Sequence, residues 1–413
     1  MTGAASLLEE ARRLLPEAIA VRRSLHRSPE LGLHLPRTQQ TVLDSLARLP
    51  LTLTTGKRLS SVVAVLEGTR PGPSVLLRGD MDGLPLHEET GLEFTSRLPG
   101  AMHACGHDLH VAMLIGAAGL LSARRSQLRG RVVFMFQPAE ESGGGAAPMI
   151  DEGVLEPPGG PPVNFAFALH VTPRLETGAV GLRPGPLFAS SDRIHIRLRG
   201  RGGHAAAPHL ALDPVPVACA LVQELQTMVA RTVPVFDPAV VTISRIQAGS
   251  TTNVIPHTAD LHGTLRTLTP ARRRAVRHSL ERLVRHVAAA HGAEASLDLT
   301  EGYPPLLNDP AATDTVLHTA AELLAPGLVR TLPEPVMASE DFAYVLERVP
   351  GVMALLGARP GHLPEGASTP DCHSSQVVFD EQSMTTGMAL HAAVALTCLA
   401  QGPGNDTQDG GQE

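Results

Sequence analysis

Hydrophobic and polar positions follow two different rhythms along this 413-residue chain. Leu7, Leu8, Ala11, Leu14, Leu15 and Ile19 recur at helical spacing over residues 5–27, with an irregularity expected at Pro16. Apolar runs at residues 61–66 and 74–77 are too short for helices and read as buried strands. The second runs into a polar exit, Arg78-Gly79-Asp80-Met81-Asp82-Gly83. Residues 111–121 read as a buried helix. Residues 131–137 read as a strand leading directly into Pro138-Ala139-Glu140-Glu141, and 165–169 as another that ends at His170. Strands alternating with helices in this way predict an α/β sheet.

The middle of the chain has another grammar. Residues 193–198 alternate as a half-buried strand, and 213–229 form a helix preceded by the loop Gly202-Gly203-His204. Strands follow at 240–246 and 261–268. Thr269 is placed as an N-cap with Pro270 in the first turn of a long basic helix to His291, and 293–299 is a closing strand. The order β-α-β-β-α-β is that of a ferredoxin-like unit. The α/β grammar then returns, with helices near 310–324 and 339–348, a strand at 352–356 and a helix over about 381–400. The middle therefore reads as an insertion, residues 189–299, into a larger domain formed by 1–188 and 300–401. The polar, glycine-rich residues 402–413 read as a disordered tail.

Composition narrows the function classes. The formal net charge is -7 with no basic block, which speaks against nucleic acid and anionic membranes as partners. Four cysteines in so long a chain do not make a disulfide framework, and a reducing cytoplasm is expected. Glu9 and Glu10 precede any apolar run, so no signal peptide is expected. Residues 112–121, read as the longest apolar stretch, are too few to span a bilayer. Lys57 is the only lysine, which disfavours Schiff-base and P-loop chemistry. There is no Gly-x-Ser-x-Gly elbow, and Gly200-Arg201-Gly202-Gly203 lacks the third glycine of a dinucleotide fingerprint.

The chemistry concentrates in His103-Ala104-Cys105-Gly106-His107-Asp108, answered downstream by Glu140-Glu141, His170 and His373. Cys, His and Glu bind zinc-like metals, and a glutamate beside a metal ligand is a common general base. Taken singly, each has a plain structural explanation: a buried Cys, a core His, a helix N-terminal charge pair. Their conjunction at predicted strand ends, where open α/β sheets build sites, favours a metal centre.

Taken together, Asp80-Met81-Asp82-Gly83-Leu84-Pro85, the His103–Asp108 stretch, Gln137-Pro138-Ala139-Glu140-Glu141 and Leu169-His170 resemble a known family. It is the amidohydrolase branch of the aminoacylase/carboxypeptidase-G-like metallopeptidases, which includes hippurate hydrolases, N-acyl-L-amino acid amidohydrolases and indole-acetyl-amino-acid hydrolases. The stretches GRGGHAAAP (residues 200–208), GSTTNVIPHTADLHGTLR (residues 249–266) and Ser339-Glu340-Asp341-Phe342 are similar too. The resemblance implies a metallopeptidase-type catalytic domain, a central mixed sheet flanked by helices, with an inserted ferredoxin-like α+β domain serving as lid and dimerisation surface. It implies two divalent metal ions per subunit, Zn2+ or Mn2+ with Co2+ or Ni2+ as alternatives. Their ligands would be Cys105, His107, Glu141, His170 and His373, with Cys105 as the bridge. Glu140 would be the general base, and Asp82 a carboxylate that orients a ligand. Asp80 stands where the wider superfamily has a ligand histidine and is kept off the ligand set. His204 would donate to the oxyanion, and Asn253 and Arg266 would hold a substrate carboxylate. His373 is followed by Ser374-Ser375-Gln376, where many relatives carry a nearby proline. The implied activity is metal-dependent cleavage of the amide bond of a small N-acyl amino acid by a cytoplasmic homodimer. A dipeptidase on the same scaffold and a non-catalytic metal-bound binding protein are the alternatives. The acyl group, the amino acid, the native metal and the pathway are not legible.

Overall fold

A computed structural model of the protein describes residues 3–361 and 368–401, with side chains of residues 3–5 and 401 left out. The polar stretch 402–413 lies outside the described residues. The chain divides into two compact units. One comprises the described residues within Met1–Gly185, Leu307–Pro333 and Tyr344–Glu413; the other comprises Pro186–Leu306 and Glu334–Ala343.

The first unit is built on an eight-stranded mixed sheet. Its order is Thr52–Thr55, Val62–Glu67, Arg129–Gln137, Arg70–Asp80, Phe165–Glu176, Gly351–Arg359, Val180–Leu182, Val329–Thr331. The four central strands, Arg129–Gln137 through Gly351–Arg359, run parallel, while Thr52–Thr55 and Val62–Glu67 join antiparallel. Parallel strands are covered on both faces, which is why Val132 to Phe136 and Val75 to Leu77 are apolar without alternation and fully buried. Helices Gly3–His26, His107–Ser122 and Ser383–Gln401 pack on one another and share the large core. His107–Ser122 is apolar on nearly every side because it is the inner helix of that stack. Pro16 lies inside the first helix.

Three sequence expectations need correction here. The strand from Phe165 does not end at His170 but runs on to Glu176, pairing with Gly351–Arg359 through His170↔Leu355 and Thr172↔Gly357. The helix expected over 339–348 is a single turn, Ala343–Leu346. The longest apolar segment is not 112–121. Ser383–Ala400 is long and apolar enough to cross a membrane by length and composition, but 83% of it is buried inside the fold, as expected of a core helix.

The second unit carries a four-stranded antiparallel sheet in the order Ala239–Ala248, Thr258–Thr267, Asp192–Arg199, Glu294–Glu301. Numbered by sequence that is 2-3-1-4, the arrangement of a ferredoxin-like unit. Helices Pro214–Thr232 and Pro270–Ala290 cover one face, burying Ile194, Ile196, Leu198, Leu221, Leu225, Leu261, Leu265 and Leu280. Thr269 caps the second helix by accepting from Arg272 N at 3.1 Å. This unit reaches beyond the expected 189–299 and takes in 334–343. The reason is a backbone ladder: Ala189 N donates to Ala338 O at 2.8 Å and Val336 N to Leu187 O at 2.8 Å.

Candidate metal centre

The site grows from the carboxyl ends of adjacent parallel strands, where the main chain must leave the sheet. Strand Arg70–Asp80 exits through Met81 and Asp82, and its neighbour Arg129–Gln137 exits through Pro138 to Glu141. Met81 N donates to Gln137 O at 2.7 Å and locks the two exits together. The Asp82 carboxylate then accepts from Glu140 N at 3.0 Å and from Glu141 N at 3.1 Å. Ala139, just before this pair, adopts φ +60°. A non-glycine residue in that region stores strain, which persists only where surrounding bonds over-determine the turn.

Cys105 and His107 flank Gly106, whose φ is +86°. A Cβ at Gly106 would meet Val171 Cγ2 at 2.3 Å, so only glycine permits the turn that aims both neighbours at one point. The Cys105 Sγ lies 3.4 Å from His170 Nε2. Donor atoms of Cys105, His107 and His170 lie within 4.8 Å of one another. Those of Cys105, Glu141 and His373 do so as well, and so do those of His107, Glu140 and Glu141. Cys105 belongs to two of these groups, and the five expected ligands and Glu140 are all brought together. His373 adopts φ +69° and places Nε2 3.1 Å from Glu141 Oε1.

The tautomers suit a metal. His107 Nδ1 donates to the Asp82 main-chain oxygen at 2.9 Å, and His170 Nδ1 donates to Val171 O at 2.8 Å. Each ring thereby turns Nε2 towards the cluster, as ligating imidazoles do. His107 Nε2 is buried without an aligned hydrogen-bond partner. A buried ring nitrogen left open beside a thiol and a carboxylate is what a cation would satisfy.

Electrostatics point the same way. Burial opposes charge on His107, but Asp80, Asp82 and Glu141 prevail and raise it to about 10. Contact with Cys372, burial and the Glu141 and Glu140 carboxylates push the Cys105 thiol well above its usual range. A thiol so placed gives up its proton only to a cation strong enough to offset two carboxylates. The hydrogen bond to Glu141 raises His373. Asp80 is held well below the usual carboxylate range: its burial is outweighed by Arg78, His107 and His110. Its Oδ2 accepts from Arg78 at 2.7 Å and its Oδ1 from His110 Nδ1 at 2.6 Å. It is therefore a counter-ion beneath His107, 3.2 Å from Nε2, and its oxygens are already engaged.

Residues 76–397 match the description of peptidase family M20/M25/M40. The chain belongs to that family. A thermostable carboxypeptidase 1 of Saccharolobus solfataricus is 35% identical over 394 residues, covering 94% of this chain and 97% of the relative. An N-acetyldiaminopimelate deacetylase of Geobacillus thermodenitrificans is 40% identical over 345 residues, 82% of this chain and 88% of the relative. Among solved structures, a Bacillus subtilis protein described as a dinuclear metal binding peptidase of the M20 family superposes with a TM-score of 0.82. It shares 33% identity and covers 94% of this chain and 99% of its own.

Within this M20/M25/M40 chain the second unit holds the remaining expected residues. His204 and Asn253 are neighbours: Gly203–His204 pairs with Val254–Ile255, and Ala205 N donates to Asn253 O at 3.0 Å. Both are exposed. Arg266 stands apart on Thr258–Thr267, opposite Val240 on the sheet face away from the helices. Its Nη1 is buried without a partner, and burial lowers its pKa. Sequence reasoning missed His110 and Arg78, which saturate Asp80. The available signal was His107-x-x-His110, two histidines on one face of an otherwise apolar helix.

Proposed function

We propose that this chain is a metal-dependent amidohydrolase that cleaves the amide bond of N-acyl amino acids. The observation that carries the reading is the double donor cluster sharing Cys105, with Glu140 beside it. A binding module has no need of a buried glutamate against the metal donors. Cys105, His107, Glu141, His170 and His373 would hold two divalent ions, with Cys105 belonging to both donor groups. The relative described as a dinuclear metal binding peptidase supports the count, and thiolate, imidazole and carboxylate donors suit zinc, manganese, cobalt or nickel. Such ions supply Lewis acidity and bring a water to a pKa of roughly 7.

The residues of the chain then divide the work. Asp82 grips the main chain of Glu140 and Glu141 and fixes the carboxylate that follows. Glu140 takes the proton of the attacking water and returns it to the leaving amine. His204 donates to the developing oxyanion, while Asn253 and Arg266 hold the substrate carboxylate, Arg266 through its fork of donors. The deacetylase relative favours N-acetyl amino acids over hippurate as substrates. The carboxypeptidase relative keeps peptide cleavage as the second reading. A cytoplasmic homodimer joined through the inserted unit completes the proposal.

The test is a kinetic screen of the metal-reconstituted protein over N-acetyl, N-benzoyl and longer N-acyl amino acids and over dipeptides, with a chelated control. Release of free amino acid from N-acyl substrates in the loaded protein alone is expected. Turnover confined to dipeptides would select the second reading, and metal uptake with no turnover on any of them would leave a binding protein.

A further inference from the structure

The stretch that follows His373 is held from two sides by one pair of residues on the N-terminal helix. Arg22 and His26 lie four apart on one face of Gly3–His26, and both are buried. They bond the same oxygen: Arg22 Nε donates to Asp108 Oδ2 at 2.8 Å, and His26 Nδ1 donates to it at 2.8 Å. Asp108 follows His107 and stands in the first turn of His107–Ser122. From there the pair reaches outward by two arms. Arg22 Nη1 donates to Glu381 Oε1 at 3.0 Å, and Arg23 adds two bonds to the same carboxylate, at 2.9 and 2.6 Å. His26 Nε2 donates to Glu88 Oε1 at 3.1 Å. The next residue, Glu89, grips Ser375 twice: Glu89 N donates to Ser375 O at 2.8 Å, and Ser375 Oγ donates to Glu89 Oε2 at 2.6 Å. Residues 373–381 are thus bracketed by Ser375 near their start and Glu381 at their end. Phe94 covers the guanidinium of Arg22 at 4.5 Å and meets the His26 ring edge-on at 5.4 Å. Burial works against a charge on His26, but Asp108 and Glu88 outweigh it and raise its pKa.

We propose that Arg22 and His26 are positioning residues that set the separation between the His107 turn and the His373 turn. Among the described residues their side chains hydrogen-bond to Asp108, Glu381 and Glu88 and to no donor of the metal centre. Each therefore acts through a carboxylate on the backbone that carries a ligand. The two turns differ in what else holds them. His107 heads a helix buried on nearly every side, and its Nδ1 is fixed by the Asp82 main-chain oxygen. His373 is the one exposed residue of the five expected ligands, in a loop with no helix or strand of its own. Loosening the bracket should therefore be felt first at His373. A guanidinium suits the task, because its planar fork serves two carboxylates at once, whereas an ammonium on a flexible stem is a single point charge. The inference deepens the metal-centre reading. Its effect on an ion rests on the ligand role proposed for His373; the placing of the turn does not. On that reading the ion of the Cys105, Glu141 and His373 group should loosen, while the ion of the Cys105, His107 and His170 group stays.

The experiment compares Arg22→Lys, His26→Gln and Glu381→Gln with the unsubstituted full chain. In chelated protein, amide hydrogen exchange read by mass spectrometry should quicken roughly tenfold in peptides covering 371–381 and stay unchanged in strand Arg129–Gln137. In cobalt titrations each variant should bind one of two ions about 10–100-fold more weakly. The thiolate-to-cobalt absorption should persist, because Cys105 belongs to both groups. Glu381→Gln leaves the buried Arg22–Asp108 pair intact and keeps the test decisive if Arg22→Lys does not fold. Native exchange at 371–381 in the folded variants would overturn the inference. So would exchange quickened equally in the strand, the mark of a lower overall stability. Quickened exchange confined to 371–381, in variants that bind both ions as tightly as the unsubstituted chain, would uphold the bracket and refute His373 as a ligand, so the two readings fail separately.

Discussion

Around Cys105 and His107 the turns are braced by buried side chains, whereas His204 and Asn253 stand exposed in the other unit, His204 on a two-residue strand and Asn253 just before its partner strand. In the first region Asp82 alone binds two main-chain N–H groups and lies beneath His107, and Asp80 is gripped by Arg78 and His110. Such mutual bonding fixes donor atoms to a fraction of an ångström, which multidentate metal binding demands. The second region is held by main-chain bonds, among them Ala205 N to Asn253 O and Ala206 N to His204 Nδ1, while both side chains stay exposed. On the proposed reading this is a division of labour: buried bracing where ions would be held, exposed side chains where substrate would be met. Variants in the two regions should therefore fail in different ways.

The largest effect is expected at Glu140. Glu140→Gln should retain both metals and lose about 10²–10⁴-fold in kcat, the usual range for a missing general base. Normal turnover with normal metal content would show that the rigid region holds ions but not the base. On the exposed side, His204→Ala should leave metal content untouched and lower kcat about 10²–10³-fold by removing an oxyanion donor. A silent His204→Ala would erase the catalytic half of the contrast. Arg266→Ala should act on KM, by roughly 10–100-fold for substrates with a free carboxylate and little for their C-terminal amides. Equal slowing of both substrates would reject the clamp.

The smallest effect tests the rigid interior without touching the site. His391 is buried against Phe167, and burial lowers it to about 3. Its folded value lies below the unfolded value of about 6.5, so protons favour the unfolded chain. Its stabilising share is full above that pH and declines as pH falls towards 3. In chelated protein, His391→Leu should flatten the acid slope of unfolding free energy by about 1.4 kcal/mol per pH unit between roughly pH 6 and 4. An unchanged slope in denaturant titrations would mean that the ring already carries a proton in the fold.

Periodicity made much of this legible. The buried strands, the inner helix and the β-α-β-β-α-β element order of the inserted unit follow from apolar runs at strand or helix spacing. The continuation of the His170 strand did not follow, because Thr172-Pro173-Arg174 reads as a loop. Proline survives there at an irregularity, where the pairing with Gly351–Arg359 shifts register between Gly357 and Arg359. The candidate ligands were legible as residue types at turns. The roles of Arg78 and His110 were not: the His107-x-x-His110 spacing shows two histidines on one helix face but not that His110 and Arg78 meet on the Asp80 carboxylate. Asp82 shows the same limit: its function as an acceptor for two main-chain N–H groups depends on a turn from another strand.

Helix Ser383–Gln401 has a consequence for biosynthesis. It follows every other described element in chain order, yet it packs in the middle of the main core against Gly3–His26 and His107–Ser122. During vectorial synthesis the inserted unit, Pro186–Leu306 with Glu334–Ala343, is complete before that helix is made. The main core must wait for its last described helix to leave the ribosome. The nascent chain thus passes through a stage with the inserted unit complete and the larger core unfinished, and the turn bearing His373 arrives just before that helix.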